Sequence, residues 1–417
     1  MGMKLHRNRR VFRSRSLHPR ILAWVVGAVA VIAIGFFGAK YFTEHPVDTA
    51  PESAPNESQT TSLPVDNAPE SSDPATDGQT PAASLDTVRA FYLPSAALNN
   101  QNALTATLTD AKAAGFNAVV LDFKDASGVL YFRSQTARAQ QVNSFATGAL
   151  TVENVKKLFA AVRETGLQPI ARLYAFMDNA AARVLTGARI AHQSDPSWVW
   201  YDANPADGGK AWLNPYSDEA HLYVIDLAKE LRDAGAAAVM LDGVQFPMQT
   251  TSASFGTSAN VALSRDEMLA AFIAKARGLL GNNCPVMLSC TASSALGIDT
   301  TVYGGNPLTF APTMAAPTLF TGEMKGTVTV GNETVQNTPD NLKATVQALV
   351  NQMTLRIKVM AADKQPIFTP WLQAYDYTPA QIKSATEGCI SGGADSFILY
   401  NPQGTYDFAA LGNIDTP

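Results

Sequence analysis

Two aspartates occupy the same place in two copies of one phrase. Ala114-Gly115-Phe116-Asn117-Ala118-Val119-Val120-Leu121-Asp122 matches Ala234-Gly235-Ala236-Ala237-Ala238-Val239-Met240-Leu241-Asp242 in its Ala-Gly start, its Ala-Val pair and its Leu-Asp end. A weaker third copy, Gly393 to Tyr400, ends in a phenol instead of an acid. An apolar run of strand length that stops at one polar residue is how a buried parallel strand delivers a side chain to its C-terminal end. Carboxylates delivered in pairs, with aromatic residues beside them, suit glycoside hydrolysis. One carboxyl protonates the leaving oxygen while the other attacks the anomeric carbon or activates water.

Each copy follows a helical pattern that closes at Gly, so the unit is helix, Gly, strand, polar tip. Reading the chain for further units gives strands over residues 88–93, 119–122, 169–174, 237–242, 286–290, 308–314, 367–371 and 397–400. Helical periodicity falls at residues 98–114, 152–165, 217–234, 265–280, 342–360 and 380–389, with no convincing helix between residues 291 and 307. Eight strands mostly alternating with helices predict an α/β fold, a (β/α)8 TIM barrel over residues 85–417. A doubly wound sheet is disfavoured because Pro94-Ser95-Ala96, and no Gly-rich turn, follows the first strand.

In such a barrel the strand C-termini line the functional face. They supply Asp122, Lys124 and Asp125 after strand two, Tyr174 after three, Asp242 and Gln245 after four, and Ser289 and Cys290 at five. Glu323 lies in an irregular excursion after strand six, Trp371, Gln373 and Asp376 follow seven, and Tyr400 and Asn401 follow eight. The catalytic candidates are Asp242, Asp122, Asp125, Glu323 and Asp376, with Asp242 as nucleophile or base and the proton donor open among the other four. Lys124, Tyr174, Trp212, Asn214, Gln245, Trp371, Gln373, Tyr400 and Asn401 are the candidates for holding sugar. Trp198, Trp200 and Trp212 share a connection of about forty residues between strands three and four, long enough to be functional. The bland alternatives are a helix-capping role for a lone strand-end Asp, an Asp122–Lys124 pairing, and plain loop packing for the tryptophans.

Several classes fall away. Only His192 and His221 lie in the predicted barrel, too few for a His-rich metal site or a Ser-His-Asp triad, and no metal or cofactor is expected. There is no Gly-x-Ser-x-Gly elbow and no phosphate-cradling loop. The net charge of −5 and a single basic cluster in a short tail argue against nucleic acid as a partner. Cys284, Cys290 and Cys389 are too few for a disulfide framework and read as buried thiols.

Ahead of the barrel, residues 1–20 form a basic tail. Residues 21–39 carry no charge over a length that spans roughly 28 Å as a helix, about the thickness of a bilayer core. An uncleaved signal anchor is expected, with the tail in the cytoplasm and the barrel outside it. Phe37 stands where a cleaved signal peptide would need a small residue. Residues 40–84, rich in Pro, Ser, Thr and acids and without an aromatic residue from Thr43 onward, predict a disordered tether. Membrane and carbohydrate are the expected partners, and no protein partner is predicted.

Leu121 to Gly128 resembles the Asp-x-Lys-Asp-x-x-Gly segment of a bacterial family of glycosyl hydrolases, assigned by similarity, with alpha-amylase-like barrels. Lys210 to Ser217 is similar to its Trp-x-(Asn/Asp)-Pro-Tyr-Ser segment, and Leu241 to Pro247 to its Phe-Asp-Tyr-Ile-Arg-Phe-Pro hallmark. Pro370-Trp371-Leu372-Gln373 and Tyr400-Asn401-Pro402-Gln403-Gly404 resemble its last two segments, in the same order. The resemblance implies an extracytoplasmic barrel with Asp242 at the position of the amylase-like nucleophile. It departs at one place. The hallmark Arg is Gln245, which removes a cation able to hold a carboxylate ionised and oriented. A non-catalytic glycan-binding barrel is therefore the chief alternative, and a scaffold for envelope proteins, marked by an exposed apolar patch, is the third.

Overall fold

The computed structural model describes residues 85–324 and 326–414. The basic tail, the apolar segment 21–39 and the tether lie outside them. Among the described residues, no helix is long and apolar enough to cross a membrane.

Eight parallel strands close into a barrel: β1 Arg89–Leu93, β2 Ala118–Lys124, β3 Gln168–Tyr174, β4 Ala238–Asp242, β5 Val286–Thr291, β6 Met314–Leu319, β7 Ile367–Phe368 with Trp371–Gln373, and β8 Phe397–Tyr400. Each pairs with the next in chain order, and β8 returns to β1 with Arg89 opposite Phe397. Pro370, which has no N–H to give, falls where β7 is interrupted. Helices α1 Gln101–Ala113, α2 Val152–Glu164, α3 Asp218–Asp233, α4 Arg265–Leu280, α5 Leu342–Lys358 and α6 Pro379–Ser391 run between the strands. Two caps follow from sequence: Ser217 accepts the Ala220 N–H ahead of α3, and Thr378 with Gln381 forms a capping box ahead of α6.

The repeated phrase has a backbone reason. Gly115, Gly235 and Gly393 take φ values of 93°, 110° and 95° where the chain leaves a helix and enters β2, β4 and β8. L-residues with a Cβ rarely adopt that conformation. Alternation along the strands then divides the core in two. Ala90, Val120, Ile170, Met240, Met287, Ala316 and Ile398 fill the barrel interior, whereas Phe91, Val119, Leu121, Leu241 and Leu399 pack outward among the helices.

Two expectations need correction, and two further stretches carry strands for which none was expected. Strand six is Met314–Leu319, not residues 308–314, and Pro307–Phe310 is a 3-10 turn. The excursion after Glu323 holds an antiparallel hairpin, Gly326–Val330 with Glu333–Asn337. Two strands, Leu130–Arg133 and Phe145–Thr151, extend the sheet beyond β2 in a stretch that shows no strand pattern. The long third connection is ordered by a small sheet in which Ala191–His192 is the central strand, paired with Asp195–Val199 on one side and Ala253–Ser254 on the other. In β5 to β6 the expected lack of a full helix holds, with only the single turn Ala292–Ala295. All three cysteines are free and buried.

Candidate active site

Because every barrel strand runs the same way, all eight C-terminal ends share one rim. On β3 the alternation that buries Ile170 inside the barrel turns Arg172 to the same side, and its guanidinium fills the mouth between two acids. Nη1 donates to Asp122 Oδ1 at 2.8 Å, and Nη2 and Nε donate to Asp242 Oδ2 at 2.7 and 3.1 Å. Tyr92 at the end of β1 donates its hydroxyl to the other Asp122 oxygen at 2.5 Å. Gly243 N–H donates to Asp242 Oδ1 at 2.7 Å, and Gly243 has φ of 60° at a place where a Cβ would come within 3.1 Å of the Tyr174 ring.

The three charged side chains retain 10% (Arg172), 13% (Asp122) and 19% (Asp242) of their exposure, so a ligand can reach them while much of the water is excluded. Burial works against the charge on Arg172, but Asp242 and then Asp122 outweigh it and hold the guanidinium well above its ordinary pKa. The cation also faces the Tyr174 ring at 4.7 Å, with the Tyr92 and Trp371 rings at 5.7 Å. Sequence reasoning sought its cation at Gln245 and passed over Arg172. The available signal was a charge at an interior position of an otherwise apolar strand.

Phenols complete the rim. Burial, then the Asp122 charge, pushes the Tyr92 pKa far up. Asp242, then burial, does the same to Tyr174. Tyr400 is raised chiefly by burial, against Arg172, and further by Asp122, Asp242 and Glu323, so acids from β2, β4 and the turn after β6 bear on one phenol. All three tyrosines remain O–H donors at neutral pH. From Tyr400 an aromatic wall continues outward, with Phe320 stacked on it at 5.0 Å and Tyr375 edge-on at 6.0 Å. Tyr375 donates to Glu323 Oε1 at 2.8 Å, which fixes this exposed acid at the β6 side of the mouth.

The other expected residues divide into local organisers and surface groups. Both Asp125 oxygens are used within its own loop, by the Ser127 and Val129 N–H groups and by Tyr131. Lys124 is fully buried, paired with Asp178 at 2.8 Å and donating to the Tyr174 carbonyl at 2.6 Å, out of reach of a substrate. Trp212 is buried and donates to Asp202; Asn214 is buried and bridges Phe255 O and Tyr216 N–H. Gln373 is buried and bridges Gly322 N–H and Tyr375 O. Trp371 lies under Tyr92 and Tyr400, its Nε1 without a partner among the described residues. Gln245 is half-buried and makes no hydrogen bond with another described residue. Asn401 donates to Thr405 O, and Asp376 is exposed with φ of 58°. Among the described residues no three or more His, Cys, Asp or Glu are grouped to hold a metal ion.

Two cavities lie away from Arg172. One, of 470 Å³, sits on the helical flank between α2 and α3; the other, of 380 Å³, is on the rim beside the β7 and β8 loops.

Comparison with curated proteins finds no match. Among solved structures, the chain is 22% identical to a hypothetical protein from Ruminiclostridium thermocellum, covering 47% of this chain and 96% of that one with a TM-score of 0.40. It is 10% identical to the catalytic domain of a beta-amylase from Paenibacillus polymyxa, over 79% of this chain and 95% of that one at 0.48. It is 13% identical to the glycoside hydrolase domain of PelA from Pseudomonas aeruginosa, over 76% and 96% at 0.39. The family model described as "Putative glycosyl hydrolase domain" matches residues 90–406, from β1 to beyond β8 and through the whole rim just described, and the chain belongs to that family.

Proposed function

We propose that the barrel hydrolyses glycosidic bonds in a polysaccharide or cell-envelope glycan, with Asp242 as nucleophile or general base and Glu323 as proton donor. The observation that carries this reading is the convergence of Asp122, Arg172 and Asp242 at one mouth whose aromatic wall leads to Glu323. Asp122 has both oxygens engaged by Arg172 and Tyr92, Asp125 is spent on its own loop, and Asp376 lines a separate cavity. Glu323 keeps one oxygen free of Tyr375. In the reaction Glu323 gives its proton to the leaving glycosidic oxygen as that C–O bond breaks. Asp242 either bonds to the anomeric carbon, the resulting glycosyl ester then being hydrolysed by a water whose proton returns to Glu323, or takes a proton from a water that attacks that carbon in its place. Asp242→Asn should lower turnover of a cleaved glycan by about a thousandfold in a reducing-end assay, and unchanged turnover refutes the role.

One observation favours the alternative of a binding barrel without catalysis: a single guanidinium already engages both strand-end aspartates. It predicts glycan retention by the chain with no new reducing ends over long incubation.

The proposal includes an anchor at residues 21–39 that holds the barrel outside the cytoplasm. Its support is the apolar run behind a basic tail. The full chain should remain with membranes through a high-salt wash, and deletion of residues 1–40 should release it. Release of the full chain by salt alone would refute the anchor.

A further inference from the structure

The small sheet beyond β3 and β4 places one aromatic side chain in an unusual position. Trp200 and Trp212 are buried, pinned by bonds from their indole N–H groups to Thr251 O and Asp202, both at 2.8 Å. Trp198, on the same strand as Val199, is 59% exposed. The His192 ring lies beside it at 5.9 Å, and Arg189 ties the strand down through Ser197 O. Isolated exposed apolar residues are ordinary on protein surfaces. This one stands on a hydrogen-bonded strand of the small sheet, beside the His192 ring, in the loops that follow β3 and β4 and therefore on the functional rim.

A second feature lies on that rim. The 380 Å³ cavity falls within the roughly 300–1,000 Å³ of small-ligand sites and is lined by Asp376, Tyr377, Thr378, Asn401, Thr405 and Tyr406. Its walls are joined to the site. The Tyr406 hydroxyl donates to Tyr92 O at 2.9 Å, and the Tyr377 hydroxyl meets Thr321 Oγ1 at 3.0 Å, in the turn that carries Glu323. The strand order makes the placement decisive: in a closed ring of eight, β3 and β4 stand across from β7 and β8.

We infer that these are two sugar subsites on opposite sides of the mouth, so that the substrate is a polymeric glycan held across Asp242 and cut within its length. The inference rests on the glycoside hydrolase reading and adds to it the two subsites and a cut inside the polymer. Trp198 offers an indole face to the C–H side of a sugar ring, and Asp376 with its neighbours offers hydroxyl-binding groups at the far side. A substrate of one or two rings could fill only one of them.

The test uses the full chain carrying Asp242→Asn, in affinity electrophoresis through gels holding xylan, galactomannan, hydroxyethylcellulose, soluble starch or chitosan. At least one polymer should retard it. Trp198→Ala should weaken that retention by about tenfold, the scale of a lost ring-stacking contact. Asp376→Asn, which keeps a residue tolerant of positive φ, should weaken it as well. The unsubstituted chain should lower the polymer's viscosity before small sugars accumulate. No retardation in any gel, equal retention by the Trp198→Ala chain, or release of small sugars alone overturns the inference. Retention that depends on Trp198 and Asp376 without hydrolysis removes the catalytic reading and keeps the subsites. Hydrolysis without such retention does the reverse.

Discussion

Arg172 sets the electrostatics of the mouth. One fixed positive charge between two carboxylates leaves a net negative site, and the planar fork orients both acids at once, which a lysine ammonium cannot do. Arg172→Lys should therefore keep the charge but lose the geometry, lowering kcat/KM on a cleaved glycan by about a hundredfold while the thermal midpoint moves little. Undiminished kcat/KM in Arg172→Lys, with the loss confined to Arg172→Met, would instead mean that the charge suffices and the fork itself is unimportant. The two aspartates were readable from the sequence because they end the same repeated phrase. Arg172 was not, because attention to strand ends skips a residue that points inward two places earlier. Trp198 and Trp212 show a different limit: both sit in one loop, and only tertiary packing decides that Trp212 is core and Trp198 surface.

Between the strands, the loop after β2 explains its own sequence. Asp122 enters the mouth, Lys124 turns to the outer side and pairs with buried Asp178, Asp125 ties the turn, and Gly128 leaves room for Asp178. A Cβ at Gly128 would come within 1.9 Å of Asp178 Oδ1 at φ of 87°. Because Lys124 also holds the Tyr174 carbonyl, and the Tyr174 hydroxyl accepts from Arg172 at 3.0 Å, this buried pair supports the mouth from behind. Lys124→Met should cost about 3–5 kcal/mol by leaving Asp178 buried without its partner. The double variant Lys124→Met/Asp178→Leu should recover most of that in urea unfolding. The helices and most strands followed from periodicity and from helix-closing glycines. Strand six was displaced because Leu308 to Phe310 has the apolar character of a strand, whereas the paired segment, Met314 to Leu319, contains Pro317. The hairpin after Glu323 is Thr-rich and exposed, so burial imposes no alternation on it.

For the barrel as a unit, acid should be more damaging than mild base through His221. Its ring is 1% exposed, wedged between Phe176 and Phe272, and its Nε2 donates to Pro215 O at 2.6 Å. Burial lowers its pKa. The unfolded chain then takes up a proton first, so this contribution is intact above the ordinary value of ~6.5 and is lost as pH falls from there towards the depressed folded value. Urea midpoints should drop between pH 8 and pH 5.5, and His221→Gln should flatten that difference. An identical pH dependence in both chains would exclude the assignment.

The ring closes only through its two extremes. β1 pairs with β8 in register, the Ser396 hydroxyl accepts the Val88 N–H, and Tyr92 meets Tyr400 at 5.0 Å in the mouth itself. A ribosome must therefore finish nearly the entire polypeptide before a working cleft can exist. A chain that stops short of Tyr400, or that begins after Tyr92, lacks part of the aromatic lining.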